Sequence, residues 1–299
     1  MPSLTRRQAL ASLAAAAAHA QQLQEEFDVY GENPRLFLNA RRLRLLKRER
    51  ERTSARWMQL ETLVAGKAQM AEPGFAHALY HAVSGNEEFG RQAVRFALET
   101  NDLRQQAIVF DWCQSVLTPA QSESLAARLR KGLDTPPAKA DIPTMCARAL
   151  AAIVTGHKAE LERIVKQWWR RDIAPGLRAG SYRYPREHSY ALFEMMHAIR
   201  DGIQIDLRED APRFFKELPA YHILSYYPAT FPAAENEYRI PFYDGDGEPD
   251  LRVAALARAA DLAMVAFDTN AQETQFVQGW LIHDRFLMRG VFGIVYEFL

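Results

Sequence analysis

From Asn39 onward the sequence keeps restarting helices, and this constrains the fold more than any other feature. Asn39 stands before an apolar-periodic run, Arg41-Arg42-Leu43-Arg44-Leu45-Leu46, that predicts a helix continuing to residue 63, with Gly66 to end it. A second periodic segment runs from residue 73 through Phe75, Leu79, Tyr80 and Val83 to Gly85. Asn86 caps a third and Asp102 a fourth. Thr118-Pro119-x-Gln121 combines an N-cap, proline at the first helical position and a capping-box partner. It opens a helix holding Leu125, Leu129 and Leu133. After the proline-rich break over 134–143, helices are expected over 145–154, 157–171 and from Tyr190 to Ile199, with a short one from Pro212. A Tyr/Pro-rich excursion from Tyr221 leads to the loop Phe242-Tyr243-Asp244-Gly245-Asp246, and helices return over 251–267, 272–282 and 287–299. About a dozen helices joined by short loops must pack as antiparallel hairpins, because a short connection leaves no other neighbour in reach. The expected fold is all-α, an incomplete (α/α) toroid of antiparallel helical hairpins. An open α-solenoid is the alternative, and no strict repeat marks one.

Composition narrows the function classes. Hydrophobic residues make up 48% of the 299, enough for a sizeable core. The formal net charge is zero, so neither nucleic acid nor a membrane surface is an expected partner. No apolar run after the N-terminus is long enough to span a bilayer. Cys113 and Cys146 have no metal-ligand spacing; they could pair in an exported protein, but two buried free thiols are the better reading. The start reads Thr5-Arg6-Arg7, then an Ala/Leu run, then Ala18-His19-Ala20. This order of charge, apolar middle and small-residue end predicts a signal peptide over 1–20 and an exported protein, periplasmic or extracellular. The paired arginines point to the twin-arginine route. The expected organisation is then an extended segment over 21–38 and the toroid over 39–299. The last residues, Val291-Phe-Gly-Ile-Val-Tyr-Glu-Phe-Leu299, are nearly all apolar and uncapped. That predicts either a continuing polypeptide or a partner covering this end.

Several stretches resemble the heparinase II/III-like proteins. They are Asn33-Pro-Arg-Leu-Phe-Leu-Asn-Ala-Arg-Arg-Leu43 with the basic helix and Trp57 after it, Ala107-Ile-Val-Phe-Asp-Trp-Cys-Gln-Ser-Val-Leu-Thr-Pro-Ala-Gln121, the region 180–194, and the loop at Phe242 to Asp246. The resemblance implies an (α/α) toroid and polysaccharide lyase chemistry on uronate glycans. In that family a β-sheet domain normally follows the toroid and lends residues to the cleft, and the expectation is that this sequence stops before it. The family's tyrosine-rich element is half matched by Gly180-Ser181-Tyr182-Arg183-Tyr184-Pro185, with the catalytic tyrosine falling near Glu187 to Tyr190. Where the family carries Asn-Asn-His, this chain has Ala140-Asp141-Ile142-Pro143-Thr144.

β-Elimination on a uronate needs its carboxylate neutralised, a base for the C5 proton and an acid for the departing O4. The stretch Gly180 to Ala191 supplies each type, so His188, Tyr190 and Arg186 are the catalytic candidates. Tyr182, Arg183, Tyr184 and Glu187 are expected to bind substrate, with Trp112 as a sugar-stacking platform and Tyr243 and Asp244 at the cleft. The purely structural alternatives are that His188-Ser189 only cap a helix and that Tyr190 only packs. His197, on the apolar side of the same helix, reads as a core histidine. Asp244-Gly-Asp-Gly-Glu-Pro-Asp250 has proline where an EF-hand needs its turning glycine, so neither a metal nor a cofactor is expected. Two other readings stay open. One is a toroidal glycoside hydrolase using two of Asp111, Glu187, Asp244 and Asp246. The other is a non-catalytic glycan-binding toroid, favoured by the absent Asn-Asn-His.

Overall fold

The helix starts written in the sequence are made by the side chains named for them. Asn39 accepts the Arg42 amide and opens α1 (Ala40–Glu51), Asn86 accepts that of Glu88 at α4 (Glu87–Glu99), and Asp102 that of Gln105 at α5 (Leu103–Trp112). Thr118 and Gln121 close a full capping box at α6 (Pro119–Asp134). A computed structural model of the chain describes residues 26–226, 251–284 and 290–298, and among these residues the regular elements are helices, with no strand. The predicted signal peptide over 1–20 lies outside the described residues.

Several boundaries differ from the sequence expectation. The single helix expected from Arg41 to residue 63 is two: α1 ends at Glu51, the chain turns at Thr53, whose φ is +49°, and Ser54 then caps α2 (Ala55–Ala65) by accepting the Trp57 amide. α7 (Ile142–Thr155) starts three residues before the expected Met145, because Asp141 caps it and Pro143 sits in the first turn, where its missing N–H costs nothing. The helix expected over 157–171 is α8 (Lys158–Glu162), which widens into a π-helical stretch (Arg163–Ile173) and continues as α9 (Ala174–Ala179). The adjacent Trp168 and Trp169, both in the π-helical stretch, are both buried. Their indole N–H groups donate to the Ala140 and Leu207 carbonyls. The long helix expected over 287–299 is, in its described part, one turn, α14 (Gly290–Gly293), followed by a 3-10 stretch (Ile294–Phe298); two glycines in four residues weaken an α-helix.

The remaining helices are α3 (Pro73–Ser84), α10 (His188–Ile203), α11 (Pro212–Leu224), α12 (Leu251–Phe267) and α13 (Gln272–Asp284). Their packing forms a cycle. α3 packs on α5, α5 on α7, α7 on α10 and α10 on α12, and the Ile294–Phe298 turn touches both α12 and α3. α4, α6, α11 and α13 each back onto this series. The chain's two regions therefore meet: the Ala71 amide donates to the Val291 carbonyl at 3.2 Å, and the Tyr296 ring packs against Phe75. Ile294, Val295 and Tyr296 are buried in the chain's own core. Burying each of these three contributes about 2 kcal/mol within the fold. Cys113 and Cys146 are both buried and unpaired.

Candidate active site

Gly180 ends α9 with φ +67°, a conformation that glycine adopts without strain. The chain then doubles back, and the Ser181 and Tyr182 amides donate to the Gly176 carbonyl at 2.9 and 3.1 Å. Gly176 permits this approach, because a Cβ there would lie 2.7 Å from the Tyr182 Cβ. After an extended run, a turn bonded from the His188 and Ser189 amides to the Pro185 and Arg186 carbonyls begins α10. The stretch therefore faces two cavities. Tyr182, Arg183, Tyr184 and Arg186 line one of about 450 Å³ against α11. Glu187, His188 and Tyr190 line another of about 330 Å³, where the helices of the cycle converge.

The second cavity is built on a buried ionic cluster. Arg104, from α5, grips Glu194 of α10 with two bonds, Nε to Oε2 at 2.7 Å and Nη2 to Oε1 at 2.6 Å. Its Nη1 donates to both Glu72 oxygens at 3.1 and 3.0 Å. Tyr190 donates to Glu194 Oε1 at 3.1 Å, and Tyr296 to Glu72 Oε2 at 2.8 Å. The Cys146 thiol donates to Glu194 Oε2 at 3.3 Å. Burial works against the Arg104 charge, but Glu194 and Glu72 outweigh it and hold the guanidinium well above its ordinary value. Burial, then the Glu194 charge, pushes the Tyr190 phenol well above its usual range; burial and Glu72 do the same to Tyr296. Both phenols therefore carry their protons at neutral pH. Arg252 and His188 complete the lining.

The other sequence candidates fall elsewhere. Arg186 lies on the first cavity, where its guanidinium donates to Ser225 Oγ and to the His222 carbonyl, the latter at 2.9 Å; it is not grouped with His188 and Tyr190. Trp112 is only 6% exposed, packs on Phe75 and donates to the Leu36 carbonyl at 2.9 Å, which makes it a core residue and not a sugar platform. Asp111 is buried and accepts the Arg35 and Leu36 amides at 3.0 and 2.8 Å, a role in anchoring the N-terminal segment. His197 is half-buried and bonded, with Nε2 donating to the Ala263 carbonyl at 2.9 Å. Tyr243, Asp244 and Asp246 lie outside the described residues. His188-Ser189 do not cap α10: Glu187 occupies the N-cap without a side-chain bond, and the Ser189 hydroxyl is bonded to His222.

Sequence reasoning missed Glu72, Arg104, Glu194, Arg252 and Tyr296. Glu194 had a signal, as the lone carboxylate in the apolar run Leu192-Phe-Glu-Met-Met196, four residues after Tyr190 on one helix face. Its arginine comes from a helix 90 positions away, which no local pattern reveals. Comparison with protein-family models, curated proteins and solved structures finds no match for this chain.

Proposed function

We propose that the chain is the helical toroid of an exported polysaccharide lyase that cleaves a uronate-containing glycan by β-elimination at the cavity holding His188 and Tyr190. The cyclic packing of α3, α5, α7, α10 and α12, closed by the Ile294–Phe298 turn, supports the toroid. The observation that carries the chemistry is the convergence of a histidine, a protonated tyrosine and an arginine, Arg252, on one cavity. In this reading Arg252 faces the uronate carboxylate, the part first expected of Arg186. His188 takes the C5 proton, the C5–H electron pair forms the C4=C5 double bond, and the C4–O4 bond breaks as Tyr190 protonates O4. His188 then returns its proton to Tyr190 directly or through water. Glu194, held by Arg104, orients the phenol through the 3.1 Å bond.

The test is ultraviolet absorbance of the unsaturated uronate while the full chain is incubated with a panel of uronate polysaccharides. Absorbance that rises with the wild type and stays flat with Tyr190→Phe supports the reading; a flat wild-type trace across the panel sinks it for those glycans. A glycoside hydrolase is the second reading, favoured by Glu72, Glu187 and Glu194 lining the same cavity. Saturated products without absorbance would favour it. Glycan binding with no turnover, unchanged in His188→Ala, would favour a non-catalytic binding toroid.

A further inference from the structure

The first cavity, which the elimination chemistry does not use, has its own constellation at its back. Ser189 lies in the first turn of α10, His222 near the end of α11 and Asp261 inside α12. They are 1%, 1% and 0% exposed. His222 Nδ1 is 2.9 Å from Asp261 Oδ1, and His222 Nε2 is 3.1 Å from Ser189 Oγ. Asp261 Oδ2 accepts the Tyr226 hydroxyl at 2.6 Å.

The proton positions follow from which groups can donate. A carboxylate only accepts, so Nδ1 carries the hydrogen and donates to Asp261. Burial holds His222 below its ordinary value, with the bond to Asp261 working the other way, so the ring is neutral at neutral pH. A neutral ring with its proton on Nδ1 has its lone pair on Nε2, and the Ser189 hydroxyl donates to it. That is the resting state a nucleophilic serine needs: a base within reach, oriented by a third group.

A second, independent observation points to a ligand. Tyr184 Oη and Arg186 Nε are buried and make no hydrogen bond, and both residues line this cavity together with Ser189 and His222. Burial raises the Tyr184 phenol to about 12, with Ser189 acting in the opposite direction, so it too holds its proton. Two buried donors left unpaired cost stability unless something accepts from them. An oxyanion formed on a carbonyl attacked by Ser189 is such an acceptor. Phe214, Leu218 and Leu177 supply apolar wall for an acyl group.

We propose that Ser189, His222 and Asp261 form a second catalytic centre that hydrolyses a carboxylic ester with a small apolar acyl group seated in this cavity. Ser189 Oγ bonds to the carbonyl carbon as its proton passes to His222 Nε2. Tyr184 and Arg186 donate to the oxyanion. The intermediate collapses, the ester C–O bond breaks, and the alcohol leaves with the proton from His222. Water then gives a proton to His222 and adds to the acyl-enzyme, releasing the carboxylic acid and returning the proton to Ser189. This centre is independent of the elimination reading, and the outcome of the uronate assay does not bear on it.

The test incubates the full chain with a fluorophosphonate probe, followed by intact mass and peptide mapping, and in parallel measures hydrolysis of p-nitrophenyl acetate. A single adduct on Ser189, absent in Ser189→Ala, with ester turnover lowered at least ~100-fold in His222→Gln, is expected. Wild-type protein, folded by circular dichroism, that carries no adduct on Ser189 overturns the proposal, as does an adduct confined to another residue. The wild-type arm decides the matter even where a buried variant fails to fold.

Discussion

Replacing Arg104 by methionine removes the cation set between Glu72 and Glu194 and keeps most of the stem that packs near Phe75. Four bonds of 2.6–3.1 Å are lost. Stripping one partner from a buried ion pair costs about 3–5 kcal/mol, because the remaining charge has no water to replace it. Glu194 is 2% exposed and bears that cost in full, while Glu72, at 20%, is partly rescued by solvent, so the expected loss is about 3 kcal/mol. For a chain of this size that lowers Tm by roughly 5 °C. The loss is measured by thermal and urea unfolding followed by circular dichroism. Adding Glu194→Gln recovers part of it. A single variant within about 1 kcal/mol of wild type refutes the claim that this cluster is desolvated.

Tyr190→Phe removes a single buried hydrogen bond, costing about 1 kcal/mol in urea unfolding, while elimination falls at least ~100-fold in initial-rate assays. Arg148→Met deprives Glu160 of a 2.5 Å partner and the Gly132, Leu133 and Thr135 carbonyls of theirs; about 3 kcal/mol should be lost by chemical denaturation, Arg163 still holding Glu160. Trp112→Phe should cost about 1–2 kcal/mol of stability through the lost bond to the Leu36 carbonyl, yet leave glycan affinity by calorimetry unchanged; weakened binding would restore its role as a platform. Burial, with help from the Arg200 charge, holds His197 down at about 4, and the Ala263 carbonyl bond only partly opposes this. Because the unfolded chain takes up that proton first, His197 should contribute a loss of stability as pH falls from about 6.5 to about 4; the slope of wild-type stability against pH should flatten there in His197→Gln.

The helices were legible because their signals are local. A cap such as Asn86 or the Thr118 and Gln121 pair acts within one turn, and the 3.6-residue period of Leu125, Leu129 and Leu133 is complete within one segment. Ser54 and Asp141 carried the same signal and were overlooked. The π-helical stretch had no such sign, and the indole N–H groups of Trp168 and Trp169 within it find their partners at Ala140 and Leu207. At the site, the stretch Gly180 to Ala191 was identifiable from its composition, and its split between two cavities was not, because Arg186 and His188 are near in sequence but diverge once the turn at Pro185 begins α10.

What the sequence determined by itself is the all-α class, the caps and the apolar faces, since each depends on residues within a turn or two of one another. The tertiary structure alone decided the chemistry. Arg104 meets Glu72 and Glu194, and Ser189 meets His222 and Asp261, only when helices far apart in the chain are packed together. A buried charge or hydroxyl is bonded wherever packing supplies a partner, and the identity of that partner is a property of the helix contacts and of no single helix.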